Sequence, residues 1–444
     1  MKSVCVIGGG AAGLMAAYAA AKNGNEVLLL EKNEKLGKKI YITGKGRCNF
    51  TNDSAPDEFL QNVVRGKKFL MGSIYAFPPK KTIELLENYG LAVKIERGNR
   101  AFPVSDHASD VTKTLEKACK SVGVCIKLGE KVLKIEKTMS DIIPMSDIID
   151  STSLDIIPMC DIDGGTSRGI IPTSDKVKIA TTKNTYHFDE VIIATGGISY
   201  PSTGSTGDGY AFAQELGHQV TDLTSGLCGL NLEGSWFKDV QGLTLKNVMF
   251  SVKNKGKTVY EEFGEMLFTH FGISGPIVLS ASSVINRLPL GSLDAFIDLK
   301  PALDVQTLDK RLLRDFEKYK NKQLGNALVE LLPQKLIAPL LSRASIAISK
   351  SVNSLTKEER GRLVQIIKNF PLKLRSLRGF EEAIITSGGI DLSEINPKTM
   401  ESKKVKGVRF CGEVLDVDAF TGGFNMQIAF ATGYAAGNSI KADF

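Results

Sequence analysis

The run Gly8-Gly9-Gly10-Ala11-Ala12-Gly13 places glycines at the G-x-G-x-x-G spacing. Between a strand and a helix, that spacing builds a phosphate cradle. Gly8 permits the tight turn, Gly10 lets the backbone approach a pyrophosphate, and Gly13 allows close helix–strand packing. Ala11 and Ala12 then open a helix whose amides and positive dipole end face the phosphates. Glu31 lies eighteen residues beyond Gly13, at the end of the next apolar stretch, where a carboxylate can accept the ribose hydroxyls. A carboxylate there argues against a 2′-phosphate. The bland alternative, a purely structural glycine turn, needs neither the helix nor the placed acid.

Further glycine segments follow: Ala194-Thr195-Gly196-Gly197 closing a buried strand, Thr206-Gly207-Asp208-Gly209, Gly412-Glu413 after another strand, and Gly422-Gly423-Phe424-Asn425 opening the last helix. In these segments the chain resembles the two-dinucleotide-binding flavoprotein superfamily, and the T-G-D-G run resembles its fumarate reductase and aspartate oxidase branch. The resemblance implies FAD rather than NAD, with Gly412 and Glu413 at the ribityl chain. It also sets the last helix start near the flavin N1 and O2, where negative charge accumulates on reduction.

Thr43-Gly44-Lys45-Gly46-Arg47-Cys48-Asn49-Phe50-Thr51-Asn52 is similar to the T-G-x-G-R-C-N-x-T-N signature of the YhiN/BaiN-like flavoproteins. Residues 197–201, 203–209, 268–276 and 412–427 match as well, so this resemblance spans nearly the whole chain. The cofactor contacts expected are, besides the residues of the first turn, Gly44, Arg47, Cys48 and Asn49 at the pyrophosphate or flavin dione, and Thr195, Gly196 and Gly197. Asp416 could touch ribityl hydroxyls or cap the final helix. Gly423, Phe424, Asn425 and Gln427 are expected around the flavin ring, and Lys32, Lys39 and Val132 complete the set.

Three residues could deliver a proton beside the cofactor: Cys48, Tyr200 and His270. Cys48 equally suits packing, since a thiol needs a shifted pKa to react usefully, and a lone histidine is more often structural. Seven cysteines without a C-x-x-C pair and only four histidines leave little material for a metal site and fit a reducing cytoplasm. No G-x-S-x-G elbow, Walker A run or paired-carboxylate arrangement occurs. A second dinucleotide fingerprint is also missing, so the reductant could be NAD(P)H, a partner protein or the substrate itself.

These residues must be carried by particular elements. Ser3 to Ile7 reads as a strand, Ala11 to Asn23 as an Ala-rich helix with Gly24 past its end, and Val27 to Leu30 as a second strand. Residues 37–52 read as a basic loop. Helices are expected over 81–90 and 109–122, and a strand over 191–194. Ile-Ile-Pro recurs every fourteen residues at 142, 156 and 170, which suggests a duplicated insertion, about 139–175, in a hairpin between strands near Ile135 and Val177. Thr356 with Glu359 forms a capping box ahead of a helix through Ile367, and residues 423–440 form the last helix.

The expected fold is α/β: a Rossmann-like FAD-binding domain split in sequence (1–198 plus 388–444), a β-barrel-like insert (199–302 plus about 371–387), and a small helical insert (303–370). The 444 residues carry a net charge of +7, yet residues 303–378 hold sixteen Lys and Arg against seven Asp and Glu. That +9 segment could face an anionic partner such as RNA, or be a solvated helical face. With no apolar run of membrane-spanning length, no membrane is expected.

The family resemblance implies FAD-dependent reduction of a carbon–carbon double bond conjugated to a carbonyl. The leading expectation is a small 3-oxo-Δ4,6 bile-acid or steroid intermediate, which could be anionic. A uridine of ribosomal RNA, giving dihydrouridine, is the alternative, and an aminoacetone-type amine oxidase is a third implication.

Overall fold

Continuous apolar runs suit strands buried on both faces, and these runs pair in parallel. In the computed structural model, which describes residues 1–137 and 176–442, β1 (Ser3–Ile7), β2 (Glu26–Glu31), β3 (Cys125–Leu128), β4 (Glu190–Ile193) and β5 (Val408–Phe410) form one sheet in the order β5-β4-β1-β2-β3. Every neighbouring pair is parallel. Helix α1 (Ala11–Lys22) follows β1 directly and is buried over most of its length. Its alanines leave room for a close neighbour, and that neighbour is α2 (Phe424–Asn438). A Cβ at Gly433 would lie 2.3 Å from the Ala12 carbonyl oxygen, and one at Gly437 would lie 2.1 Å from that of Ala16. The two ends of the chain are thus packed into one layer.

The chain divides into two units, Met1–Leu223 with Ile385–Phe444, and Thr224–Ile384. This corrects the sequence-based division. Residues 199–223 belong to the first unit because helix Asp208–Glu215 buries Tyr210, Phe212 and Ala213 in that unit's core. The expected β and helical inserts are one unit, not two. Their strands and helices share a single core, where Phe250, Phe268 and Ile297 lie together with Leu308, Leu312, Leu336 and Leu363.

Seven antiparallel strands make the sheet of the second unit. Its edge strands, Phe370–Leu372 and Leu374–Leu377, are separated only by Lys373, so the sheet curls toward closure, as a barrel-like insert requires. Thr356 and Glu359 form the expected reciprocal capping box of helix Lys357–Lys368.

Strands Val132–Lys137 and Val177–Thr181 pair antiparallel, so the repeat-bearing insertion connects two partners of a hairpin; the repeats themselves lie outside the described residues. The basic loop 37–52 is more ordered than expected, with a short helix Lys38–Ile42, a 3-10 turn Thr43–Gly46 and a short strand Thr51–Asn52. Cys5, Cys48, Cys119, Cys228 and Cys411 are buried free thiols. Among the described residues no helix is long and apolar enough to cross a membrane.

Candidate functional site

The glycine turn has the geometry its spacing implies. Gly8 adopts φ +106°, and a Cβ there would stand 2.6 Å from the Ala194 carbonyl oxygen at the end of β4. A Cβ on Gly13 would strike the Gly8 carbonyl oxygen at 1.8 Å. Gly10 differs: a Cβ there would meet nothing within 4 Å. The fold therefore needs the first and third glycines for packing, and the second fronts open space.

Helix α1 starts at that space with no side-chain cap and no acid in its first turn, and α2 starts from Gly423 (φ +94°) in the same condition. An uncapped helix start leaves amide donors for a ligand. Since Gly433 abuts Ala12 and Phe424 lies nine residues upstream, the two starts lie about 13 Å apart along α2. An extended dinucleotide can reach both.

Glu31 sits at the end of β2, 8% exposed. Its Oε2 accepts the Gly9 amide at 2.7 Å, and its Oε1 accepts the Asn33 backbone amide at 2.8 Å and side-chain Nδ2 at 2.7 Å. The carboxylate is thus locked against the glycine turn.

The comparisons agree with this geometry. The model of the HI0933-like protein Rossmann domain matches residues 2–157 and 164–439. The chain belongs to the HI0933-like family. That is the YhiN/BaiN-like family read from the sequence, and FAD is the cofactor of this chain. Among HI0933-like relatives, the chain is 29% identical to a 3-dehydro-bile acid delta(4,6)-reductase of Clostridium scindens, covering 99% of each chain. It is 28% identical to the ribosomal RNA dihydrouridine synthase of Escherichia coli, over 98% of this chain and 97% of that one. The same enzyme of Haemophilus influenzae is 29% identical, over 98% of each. The HI0933-like chain is an FAD oxidoreductase.

Several expected contacts of this HI0933-like site are committed to the protein itself. Gln427 is fully buried. Its Oε1 accepts from Thr51 and Thr82 at 2.7 Å each, and its Nε2 donates to the Phe77 carbonyl at 2.9 Å. It fastens α2 rather than presenting an amide to the flavin ring. Asn425 likewise closes the preceding turn, accepting the Ala419 amide and donating to the Ala419 carbonyl. Phe424 packs edge-on against Phe59.

Arg47 does not wait for a phosphate. It pairs with Glu96 and Asp106 and lies over the Phe102 ring. Glu96, chiefly through Arg47, and Asp106, through Lys94 and then Arg47, are both held below the usual carboxylate range. Cys48 is fully buried with φ +59°, and burial pushes its thiol up to about 12. The packing reading of Cys48 prevails over the proton-donor reading.

Glu413 is held by Lys39 at 2.8 Å, by the Ser199 hydroxyl at 3.1 Å and by the Thr386 amide at 2.8 Å. Lys39 therefore joins Glu413 instead of standing alone. Asp416 accepts from the Thr221 hydroxyl at 3.1 Å, and Val132 is buried at the start of its strand. Lys32 binds Thr206 and Asp208.

Gly44 (φ +57°) sits against the Asn49 backbone, and a Cβ on Gly423 would meet the Thr51 carbonyl oxygen at 2.4 Å and Asn49 Oδ1 at 2.9 Å. The signature loop thus backs the start of α2. Asn49 Oδ1 and Thr195 Oγ1 are buried without a hydrogen-bond partner. Gly197 packs on Thr386, whose hydroxyl accepts the Ile198 and Ser199 amides.

Of the remaining proton-donor candidates, Tyr200 stands in the first unit with φ +52°. Such strain in a non-glycine residue is a mark of functional sites. His270 stands exposed in the second unit, its ring edge-on to Phe271. Thr386, Ser199 and Asn33 were not legible as site residues, because no local motif marks a side chain whose partner is distant in sequence.

Proposed function

We propose that this protein reduces a carbon–carbon double bond conjugated to a carbonyl. The supporting observation is that the relatives named above, matched end to end at nearly equal identity, act on a Δ4,6 bile-acid ketone and on uridine. Both present an enone-type bond to be saturated. Bound FAD supplies the hydride.

The chain's own residues do the rest. The amides opening α1 and the Glu31 carboxylate bind the pyrophosphate and ribose. The uncapped start of α2 offers positive potential where the ring gains charge. Tyr200 and His270 are the candidates for passing a proton to the substrate's α-carbon.

A 3-oxo-Δ4,6 steroid is the first substrate expectation, and NAD(P)H the expected donor. Uridine in ribosomal RNA is a second reading favoured by an observation of its own. In the second unit Asp309, Asp315, Glu317, Glu330 and Glu359 are all ion-paired. Exposed Lys310, Lys322, Lys357, Lys373 and Arg375 have no ion pair among the described residues. That surplus suits a polyanion.

The test is to reduce the protein without oxygen and offer it, separately, a 3-oxo-Δ4,6 bile-acid derivative and unmodified ribosomal RNA, and to offer aminoacetone to the oxidised protein. Reoxidation with formation of the saturated ketone or of dihydrouridine supports enone reduction and selects the substrate. Reoxidation by neither, with aminoacetone instead reducing the oxidised protein, would overturn it in favour of an amine oxidase.

A further inference from the structure

Three consecutive side chains at the end of β2 all reach the same distant segment or support those that do. Asn33 uses one amide nitrogen twice: Nδ2 donates to Glu31 Oε1 and to the Thr203 carbonyl at 3.2 Å. Lys32 donates to the Thr206 hydroxyl at 2.5 Å and to Asp208 Oδ2 at 2.6 Å. Lys131 adds a longer approach to the other Asp208 oxygen, 3.7 Å.

The segment so held, residues 203–208, and the turn that leads into it have a backbone that few sequences tolerate. Tyr200 (φ +52°), Gly204 (φ +98°) and Gly207 (φ +82°) are all left-handed, with a 3-10 turn Pro201–Thr203 between them. A Cβ on Gly204 would meet Asn33 Nδ2 at 2.5 Å, so the segment lies tightly on Asn33. Ser205, within it, is buried.

We infer that residues 203–208 are a strap fastened across the adenosine end of the cofactor site, and that Lys32 and Asn33 are positioning residues which hold it there. Lys32 and Asn33 act on FAD through the strap, since Lys32 bonds to Thr206 and Asp208 and Asn33 to Thr203 within it. Glu31 couples the two, because one of its oxygens orients Asn33 while the carboxylate faces the ribose position. A strap ordered in advance lowers the entropic cost of holding the ligand and slows its escape. The inference rests on adenosine lying at Glu31, and not on the choice of substrate.

The test follows release of FAD from the holoprotein by the recovery of flavin fluorescence after dilution, alongside thermal unfolding of the apoprotein. Lys32→Met and Asp208→Asn should each speed release by about tenfold or more, as losing the charge-assisted Lys32–Asp208 bond, and in Lys32→Met the Thr206 bond as well, implies, with the apoprotein midpoint unchanged. The reversed pair, Lys32→Glu with Asp208→Lys, should recover most of the slow release. Unchanged release in both single variants would overturn the inference. So would faster release that follows a lowered apoprotein midpoint and is not rescued by the reversal. Retention of FAD by Glu31→Ala would instead overturn the placing of adenosine, independently of the strap.

Discussion

Gly433 of the last helix rests on the carbonyl oxygen of Ala12 in the first, so closely that a Cβ would stand 2.3 Å away. With Gly437 on Ala16 one turn later, this contact sets the distance between the start of α1 and the start of α2. The two halves of the proposed FAD site are spaced by a glycine–alanine seam. Gly433→Val should cost about 1–3 kcal/mol by overpacking and also lower flavin bound per protein, because the two helix starts shift apart. Thermal unfolding and flavin absorbance measure the two effects. Full flavin occupancy in a destabilised variant would show that the seam does not set the site.

Gly10→Val should behave in the opposite way. A Cβ at Gly10 meets nothing within 4 Å and its backbone is extended (φ −84°), so the apoprotein should fold with an unchanged midpoint. Flavin should nevertheless be lost, because the new side chain fills the space a pyrophosphate needs. Retained flavin would refute the assignment of that space.

Cys48→Ala should leave turnover within about twofold, and cost about 1 kcal/mol or somewhat more through the cavity it opens. A thiol pushed up to about 12 by burial is almost wholly protonated at neutral pH and should resist alkylation in the native protein. Loss of turnover with normal flavin content would restore Cys48 as a catalytic residue.

Asp208 gives the strap a pH limit. Burial acts to raise its carboxyl, but the bond to Lys32 and that lysine's charge outweigh it, and the net shift is below the ordinary value of 3.8. A carboxyl depressed in the native state contributes above its ordinary pKa and loses that contribution as pH falls through the native value. The difference in FAD release between the protein and Asp208→Asn should therefore be constant from neutral pH to about pH 4 and vanish below it. A difference that disappears between pH 5 and 7 would point to another group.

Thr356→Ala should weaken the second unit by about 1 kcal/mol through loss of its capping box, and leave flavin occupancy untouched. This is a stability change confined to one unit, read by thermal unfolding with and without added FAD.

Local signals made much of this protein legible before its tertiary structure. The βαβ opening, Gly24 past the end of α1 and the capping box are each written in one short stretch of chain, and the hairpin is marked by the repeats that interrupt it. The glycines at 8, 10 and 13 announced a dinucleotide because their roles depend on short-range backbone geometry.

Tertiary structure alone decided which polar side chains face a ligand and which are spent on the fold. Arg47 finds Glu96 and Asp106 at separations of 49 and 59 residues, Gln427 finds Thr51 and Thr82 at 376 and 345, and Asn33 finds Thr203 at 170. Tertiary structure also merged the β and helical inserts into one core. Periodicity and spacing describe a residue's own element. The partner that satisfies a buried donor is chosen only when distant segments are packed together, since an unpaired buried polar group is costly and any nearby acceptor relieves it.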